Sequence, residues 1–343
     1  MPVLLAAAGF LLVGLDGSVN IAFPAMSAAF RVGPTTIRWV IICYVGTYAL
    51  TAFAAGVLAD RLGPGRVVRA GLVLSLLCFA AYALVSSFET FLLLRVLQGV
   101  SGGLIYGASP ALVTLSLPSS RHAWGLGWAS MGLGIGLSVS PMIGGALVGV
   151  FGWQAVFLYR VPVTAAIIVL AVWTREARRD GRGAWRMVAP SDIFRWPVLQ
   201  AGLLAFLANY AQFSVWLLVP YYLIGERGLS AAAGGLLFML TPLAMAIAAP
   251  VAGRAADRWG ARGPMAAGLA AEAVGLLLVA RCGGSTPLAL VGAALALVGL
   301  GVGVFQVPNL AQAMAAFPPR QQGAAGGFAF LSRTSGIVVG VQT

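Results

Sequence analysis

The sequence predicts an all-α polytopic membrane protein, and three observations carry that prediction. Of its 343 residues, 60% are hydrophobic and only 9% charged, with a mean hydropathy of +0.94. Soluble domains carry about a quarter charged residues. The apolar residues fall in blocks of about 20, the length that crosses a hydrocarbon core as a helix. A loop pattern from the first half of the chain returns in the second at a fixed offset. The same composition excludes a disordered chain, which is poor in apolar residues.

The blocks run at about 2–24, 38–58, 67–87, 90–112, 122–149 and 154–173, then at about 198–224, 231–253, 264–281, 286–315 and 322–343. They predict eleven spans: an N-terminal six-helix bundle over 1–173, a linker at 174–197, and a C-terminal bundle of five helices over 198–343. The first block has no basic flank and no cleavage signal, so it reads as a span rather than a signal peptide. The linker holds Arg175, Glu176, Arg178, Arg179, Asp180, Arg182, Arg186, Asp192 and Arg195. It reads as a tether whose part from Trp185 to Trp196 lies along the membrane surface.

The formal net charge of +12 comes from 21 arginines and no lysine. It reads as topology rather than nucleic-acid binding. Arg61, Arg66, Arg69, Arg121, Arg254, Arg258, Arg262 and Arg320 fall on one side of the spans, with the linker arginines. Arg31, Arg38, Arg227 and Arg281 fall on the other, while Arg95, Arg160 and Arg333 lie inside or at the ends of blocks. Positive residues collect on the cytoplasmic side, which places the N-terminus in the cytoplasm of an inner (plasma) membrane protein. Cys43, Cys78 and Cys282 are far apart, with no metal or disulfide spacing.

The two halves repeat. Gly56, Ala59, Asp60, Arg61 and Gly63 return as Gly253, Ala256, Asp257, Arg258 and Gly260, and Gly71 returns as Gly268, all at an offset of 197 residues. Two parallel repeats about an axis normal to the membrane are a transporter architecture. The first half has one block more than the second. Symmetry therefore predicts a twelfth span, and the sequence reads as shortened at its C-terminal end.

These features resemble the major facilitator superfamily over nearly the whole chain. Gly56 to Arg69 resembles its loop signature between the second and third helices. Arg95, Gln98, Gly99 and Gly103 resemble its fourth-helix signature. Gly132, Gly134 and Gly136, followed by Ser140-Pro141-Met142-Ile143-Gly144-Gly145, resemble the fifth-helix antiporter signature, with Ser140 where Gly is usual. Leu15-Asp16-Gly17-Ser18-Val19-Asn20 with Pro24 resembles the first-helix signature of proton-coupled drug antiporters. The usual form has one more residue between Asp and Asn, so Asn20 is turned by about 100° relative to Asp16. This motif and Phe305-Gln306-Val307-Pro308-Asn309 resemble a branch with fourteen spans, whereas this chain follows a twelve-span plan. The resemblance implies a major-facilitator-like two-bundle fold of the drug:proton antiporter type, with about eleven of twelve spans present.

Within that frame Asp16 and Arg95 are the candidate proton-coupling pair. A carboxylate halfway down an apolar span costs about 2.5–3.5 kcal/mol on insertion scales. A proton carrier needs a group that is neutral in one state and ionised in the other; the alternative is a structural cap for a broken helix. Arg95 keeps its charge and needs a partner or a watery cavity. The alternative there is a strut to backbone carbonyls, and Gln98 shares its face. Asp60, Arg61, Gly63, Arg66 and Arg121, with Asp257 and Arg258, are candidates for conformational gating. In that reading Asp60 meets a helix N-terminus or Arg121. Gly132, Gly136, Pro141, Gly144 and Gly145 are candidates for a close, bendable helix contact about which the halves rock. Gly323, Gly326, Gly327, Gly336 and Gly340 form a similar run in the eleventh span.

Tyr44, Tyr106, Asn209, Phe213, Trp216 and Gln306 are the candidate substrate cavity, since aromatic faces and amides suit a lipophilic ligand. Arg333 in that cavity would disfavour cations. Glu272 is the other intramembrane acid, expected to pair with Arg281 or to face the headgroups. The sequence predicts export of small lipophilic compounds or drugs in exchange for protons by alternating access. Protons, substrate and membrane lipids are its partners, and the protein acts as a monomer. An uptake symporter for a metabolite and a non-transporting receptor or scaffold are the alternatives. No nucleophile–base set points to an enzyme. No Gly-Lys-Ser/Thr loop points to ATP, and neither a metal nor another cofactor is expected.

Overall fold

A computed structural model describes residues 1–173 and 195–342. The expected linker at 174–197 lies outside the described residues except for its last three. Among the described residues, ten helices are long and apolar enough to cross a membrane: α1 (Pro2–Ile21), α2 (Trp39–Leu62), α3 (Pro64–Leu84), α4 (Phe88–Thr114), α5 (Ser119–Phe151), α6 (Ala155–Val172), α7 (Trp196–Glu226), α8 (Ala233–Trp259), α9 (Arg262–Ala280) and α10 (Leu288–Ala315). An eleventh, α11 (Gln322–Gln342), is as long. Its Gln322, Ser332, Arg333, Thr334 and Ser335 lower its apolarity. The fold is the two-bundle, all-helical one the sequence predicts.

Local chemistry sets the helix ends. Gly63, Gly152 and Gly260 stand after α2, α5 and α8 with φ of 95°, 80° and 84°, a left-handed conformation that only glycine adopts without penalty. Gly63 and Gly260 are one pair of the 197-residue repeat, so the repeat conserves a helix stop. Ser87 caps α4 by accepting from the Thr90 amide at 3.2 Å.

The outer surface is apolar: Leu50 (73%), Leu84 (85%) and Val172 (73%) are largely exposed. Lipid tails are as apolar as these residues, so helices in a bilayer associate through close packing of small residues instead. Gly99, Gly103 and Gly107 of α4 sit against the backbone of α2 at Tyr44 and Ala52. Gly299 and Gly303 of α10 repeat this against Thr241 and Met245 of α8. Gly71 of α3 meets α4 at Ser101, and its counterpart Gly268 of α9 meets α10 at Gly301.

Candidate functional site

The first polar centre forms where α1 tightens into a 3₁₀ turn over Leu15–Gly17. Asp16 sits in that turn. Arg95 of α4 reaches it with both terminal nitrogens, Nη1 to Oδ1 at 3.0 Å and Nη2 to Oδ2 at 3.1 Å. Gln98, one turn further along α4, donates Nε2 to Asp16 Oδ1 at 2.9 Å and accepts from Tyr82. Arg95 also donates Nε to the Val40 carbonyl at 2.9 Å, and its guanidinium lies 4.3 Å from the Tyr44 ring centre. The strut and charge-partner readings of Arg95 are thus both present in one geometry.

Sequence reasoning missed the third charge. Arg160, at the start of α6, is 0% exposed. It donates Nη1 to Asp16 Oδ1 at 2.8 Å and Nη2 to Ser18 Oγ at 2.9 Å. The rings of Phe79, Phe157 and Tyr159 surround its guanidinium at 5.2–5.7 Å. The signal was available: an arginine inside an apolar block invites the same question that was asked of Arg95. With Asp16 ionised the cluster carries one excess positive charge, and its hydrogen bonds compensate a burial that an unpaired ion would not survive.

The fifth-helix glycines build this centre's scaffold. Gly132, Gly136, Ser140 and Gly144 are spaced four apart and line one face of α5. That face lies on α1 at Ala7, Leu11 with Gly14, Gly17 and Ser18. Ser140 in the usual glycine place still allows the approach to Gly17. These residues therefore hold the Asp16 turn in place and do not form the contact between the halves. That contact is made by Gly127 and Gly134 on another face of α5, against Pro250 with Ala249 and Pro242 with Ala246 of α8. Gly145 meets only a methyl of Ile21, at ordinary contact distance, and is not a close-packing site. Pro141 lies within the continuous α5.

The repeated aspartates share one geometry. Asp60 accepts from the Gly323 and Ala324 amides, both at 2.8 Å, at the start of α11. Asp257 accepts from the Ala123 and Trp124 amides at 3.0 and 2.7 Å, in the first turns of α5. Each carboxylate ties the end of one helix to the N-terminus of a helix from the other half, where free amides and the helix dipole favour an anion. Beside each, a glycine allows backbone contact: Gly56 with Gly323, and Gly253 with Ala123. Arg121 belongs with Asp257 rather than Asp60; the two line a surface cleft with Arg254, Arg258 and Trp124. Arg61 and Arg66 are exposed at the same end of the molecule.

A second polar centre lies in a small cavity of about 30 Å³, lined by Phe10, Asn209, Phe305, Gln306, Asn309, Phe330 and Arg333 among others. That is the room of one water. Asn209 and Gln306 line it as expected. Tyr106 stands just behind, stacked on Phe10 at 4.3 Å and edge-on to Phe330 at 4.3 Å. Three expected cavity or partner residues lie elsewhere. Tyr44 belongs to the Asp16 cluster, Phe213 packs by Gly340, and Trp216 packs edge-on against Phe238. Glu272 neither pairs with Arg281 nor faces headgroups. It is 3% exposed and its carboxyl oxygens have no hydrogen-bond partner.

A two-bundle helical membrane protein with charges buried among its spans has the build of a secondary transporter. The sequence profile of the Major Facilitator Superfamily matches residues 5–341, and the chain belongs to that superfamily. It is 24% identical to the riboflavin transporter RibZ of Clostridioides difficile, over 97% of this chain and 84% of that protein. It is 26% identical to the drug efflux pump JefA of Mycobacterium tuberculosis, over 99% of this chain and 78% of that one. Among solved structures, the transporter FucP in its outward conformation matches with a TM-score of 0.77 at 18% identity, over 99% of this chain and 91% of the other. That likeness concerns the fold.

Proposed function

We propose that this transporter exports small lipophilic compounds by proton antiport, with Asp16 as the proton-carrying group. The observation that carries the reading is the Asp16 cluster. One carboxylate holds two buried guanidiniums, at 3.0 and 2.8 Å. Protonating Asp16 removes the only negative charge of the cluster and leaves Arg95 and Arg160 facing each other's field. Breaking a buried pair costs about 3–5 kcal/mol. A proton moving down 100 mV supplies about 2.3 kcal/mol per charge. The two are of one order, so protonation is able to drive α1, α4 and α6 to another arrangement.

In this reading the chain divides at 1–173, 174–197 and 198–343. The N-terminus and the arginine-rich end face the cytoplasm of a bacterial-type inner membrane, following the arginine asymmetry. Asp60 and Asp257 close that end. Opening it requires both aspartates to leave their helix N-termini, which gives alternating access a defined pair of contacts to break. The efflux direction follows the antiporter-like fifth helix and the likeness to JefA. The likeness to RibZ favours a second reading, proton-coupled movement of a metabolite.

The test is drug-dependent pH change inside proteoliposomes, comparing the wild type with Asp16→Asn. Flux that disappears in the folded variant supports the reading, and flux that persists moves the proton site elsewhere. Accumulation of drug in inverted vesicles under an imposed proton gradient supports export. Movement of a metabolite in the opposite direction favours the second reading.

A further inference from the structure

We infer that the central cavity selects planar aromatic anions bearing a neighbouring hydrogen-bond donor, with Arg333 as the anion-recognising group. This deepens the transport reading by naming its substrate class. Among the described residues, Arg333 is the only charged one lining the cavity. Among the described residues no carboxylate lies within ion-pair reach of it, unlike Arg95 and Arg160. Its Nε donates to Asn209 Oδ1 at 3.1 Å, and Gln306 Nε2 donates to the same oxygen at 3.2 Å. That amide oxygen therefore orients two donors without neutralising the charge. A guanidinium without a counter-ion among membrane helices carries a standing cost, which an anionic ligand would offset and a cationic one would raise.

A second observation fixes the neighbouring group. Asn309 is 4% exposed and donates Nδ2 to the Ala201 carbonyl at 3.1 Å. Its Oδ1 has no partner. A buried acceptor left unmet costs about 1–3 kcal/mol, so it is satisfied by a ligand N–H or O–H or by water. Phe10, Phe305 and Phe330 supply ring faces on the remaining sides. The cavity offers only about 30 Å³ around this polar pole. It has to widen before a ring system enters, as alternating access provides.

The experiment uses two xanthene dyes of like shape and opposite charge, fluorescein and cationic rhodamine 123, at a mildly acidic pH where fluorescein is a monoanion that keeps its phenolic O–H. Binding is read by fluorescence anisotropy on the full chain in lipid nanodiscs. The wild type is expected to bind fluorescein at least tenfold more tightly. Arg333→Gln is expected to weaken fluorescein tenfold or more while leaving rhodamine 123 unchanged or improved, with Arg333→Lys in between. The inference is overturned if the wild type binds rhodamine 123 equally or better, or binds neither dye. It is also overturned if Arg333→Gln weakens both dyes alike. Inverted vesicles then separate this from the transport reading. Fluorescein that binds but never moves under a proton gradient removes antiport and keeps the site. Rhodamine 123 that moves while fluorescein does not removes the site and keeps export.

Discussion

Replacing Asp60 by asparagine tests whether the arginine-rich end is held shut by carboxylates on helix N-termini. The substitution keeps the shape and one acceptor. It loses the charge and turns an amide N–H toward a backbone N–H. The wild-type carboxylate accepts from Gly323 and Ala324 at 2.8 Å each and is only 7% exposed, so solvent replaces little of what is lost. A hydrogen bond to a charged group contributes about 1.5–3 kcal/mol. Losing one, with the dipole attraction, gives a net change of about 2 kcal/mol. At about 1.4 kcal/mol per tenfold, the ratio of open to closed protein at that end rises about thirtyfold. If the wild type is about 1% open, the variant is about a quarter open. Spin labels at Leu62→Cys, on the exposed end of α2, and Arg320→Cys, in the exposed turn before α11, report this as a longer-distance population in pulsed electron resonance, with Cys43, Cys78 and Cys282 removed beforehand. Asp257→Asn is expected to act in the same direction through α5, and the double variant further still. A folded Asp60→Asn protein with the wild-type distance distribution would refute the reasoning, because it would leave the closed end resting on packing alone.

Two further outcomes follow from the packing and the cluster. Gly323→Ala places a methyl against the Gly56 carbonyl, a backbone group that cannot turn aside, and within 3.0 Å of the Asp60 carboxylate. It is expected to shift the same label pair toward the open distances by at least the Asp60→Asn amount, and an unchanged distribution would mean α2 and α11 are not in close contact. Arg160→Met removes the bonds to Asp16 and Ser18 and leaves a single guanidinium on Asp16; breaking a buried pair by removing one partner costs about 3–5 kcal/mol. The melting temperature in detergent is expected to fall clearly, with Arg160→Lys in between because an ammonium lacks the planar fork, and coincident melting curves for all three proteins would show that Arg160 does not hold the cluster.

Much of this was legible in the sequence, and the reasons for the rest are physical. Block length gave all eleven long helices their span assignment; α11 is the least apolar of them because it carries Gln322, Ser332, Arg333, Thr334 and Ser335. Asp16, Arg95 and Gln98 stood out because polar side chains inside apolar blocks are expensive. Arg160 obeys the same rule but falls in the first two turns of its block, where an arginine also serves as a membrane-edge anchor. A helix N-terminus was among the expected partners of Asp60, but which helices supply the partners of Asp60 and Asp257 was not legible. The partners are backbone amides, which every residue other than proline has, so no residue type at 123–124 or 323–324 announces them. The two roles of the fifth-helix glycines follow from angle alone. Gly134 is two residues from Gly132, about 200° around the helix, so the two cannot share a neighbour. Phe213 and Trp216 share the face of Asn209, at i+4 and i+7, and miss the cavity by their height along α7.

What repeats and what does not divide the molecule by task. The repeated positions are glycines, helix stops and aspartates on amides: Gly56 with Gly253, Gly63 with Gly260, Asp60 with Asp257, and, at an offset of 200, Gly99 and Gly103 with Gly299 and Gly303. All act through the backbone, and all sit where one helix touches or caps another. Under the offset of 200 that aligns α4 with α10, Arg95 corresponds to Leu295 and Gln98 to Val298, both 0% exposed. Arg333 corresponds in turn to Leu133. The first half thus keeps a charged cluster that the second has filled with apolar side chains, and the second keeps a cation that the first lacks. A symmetric motion needs equal contacts in both halves, which the repeat supplies. Coupling a proton to a ligand needs two unlike sites, and under the proposed reading the broken symmetry supplies one in each half: Asp16 between guanidiniums in the first and Arg333 among amides in the second.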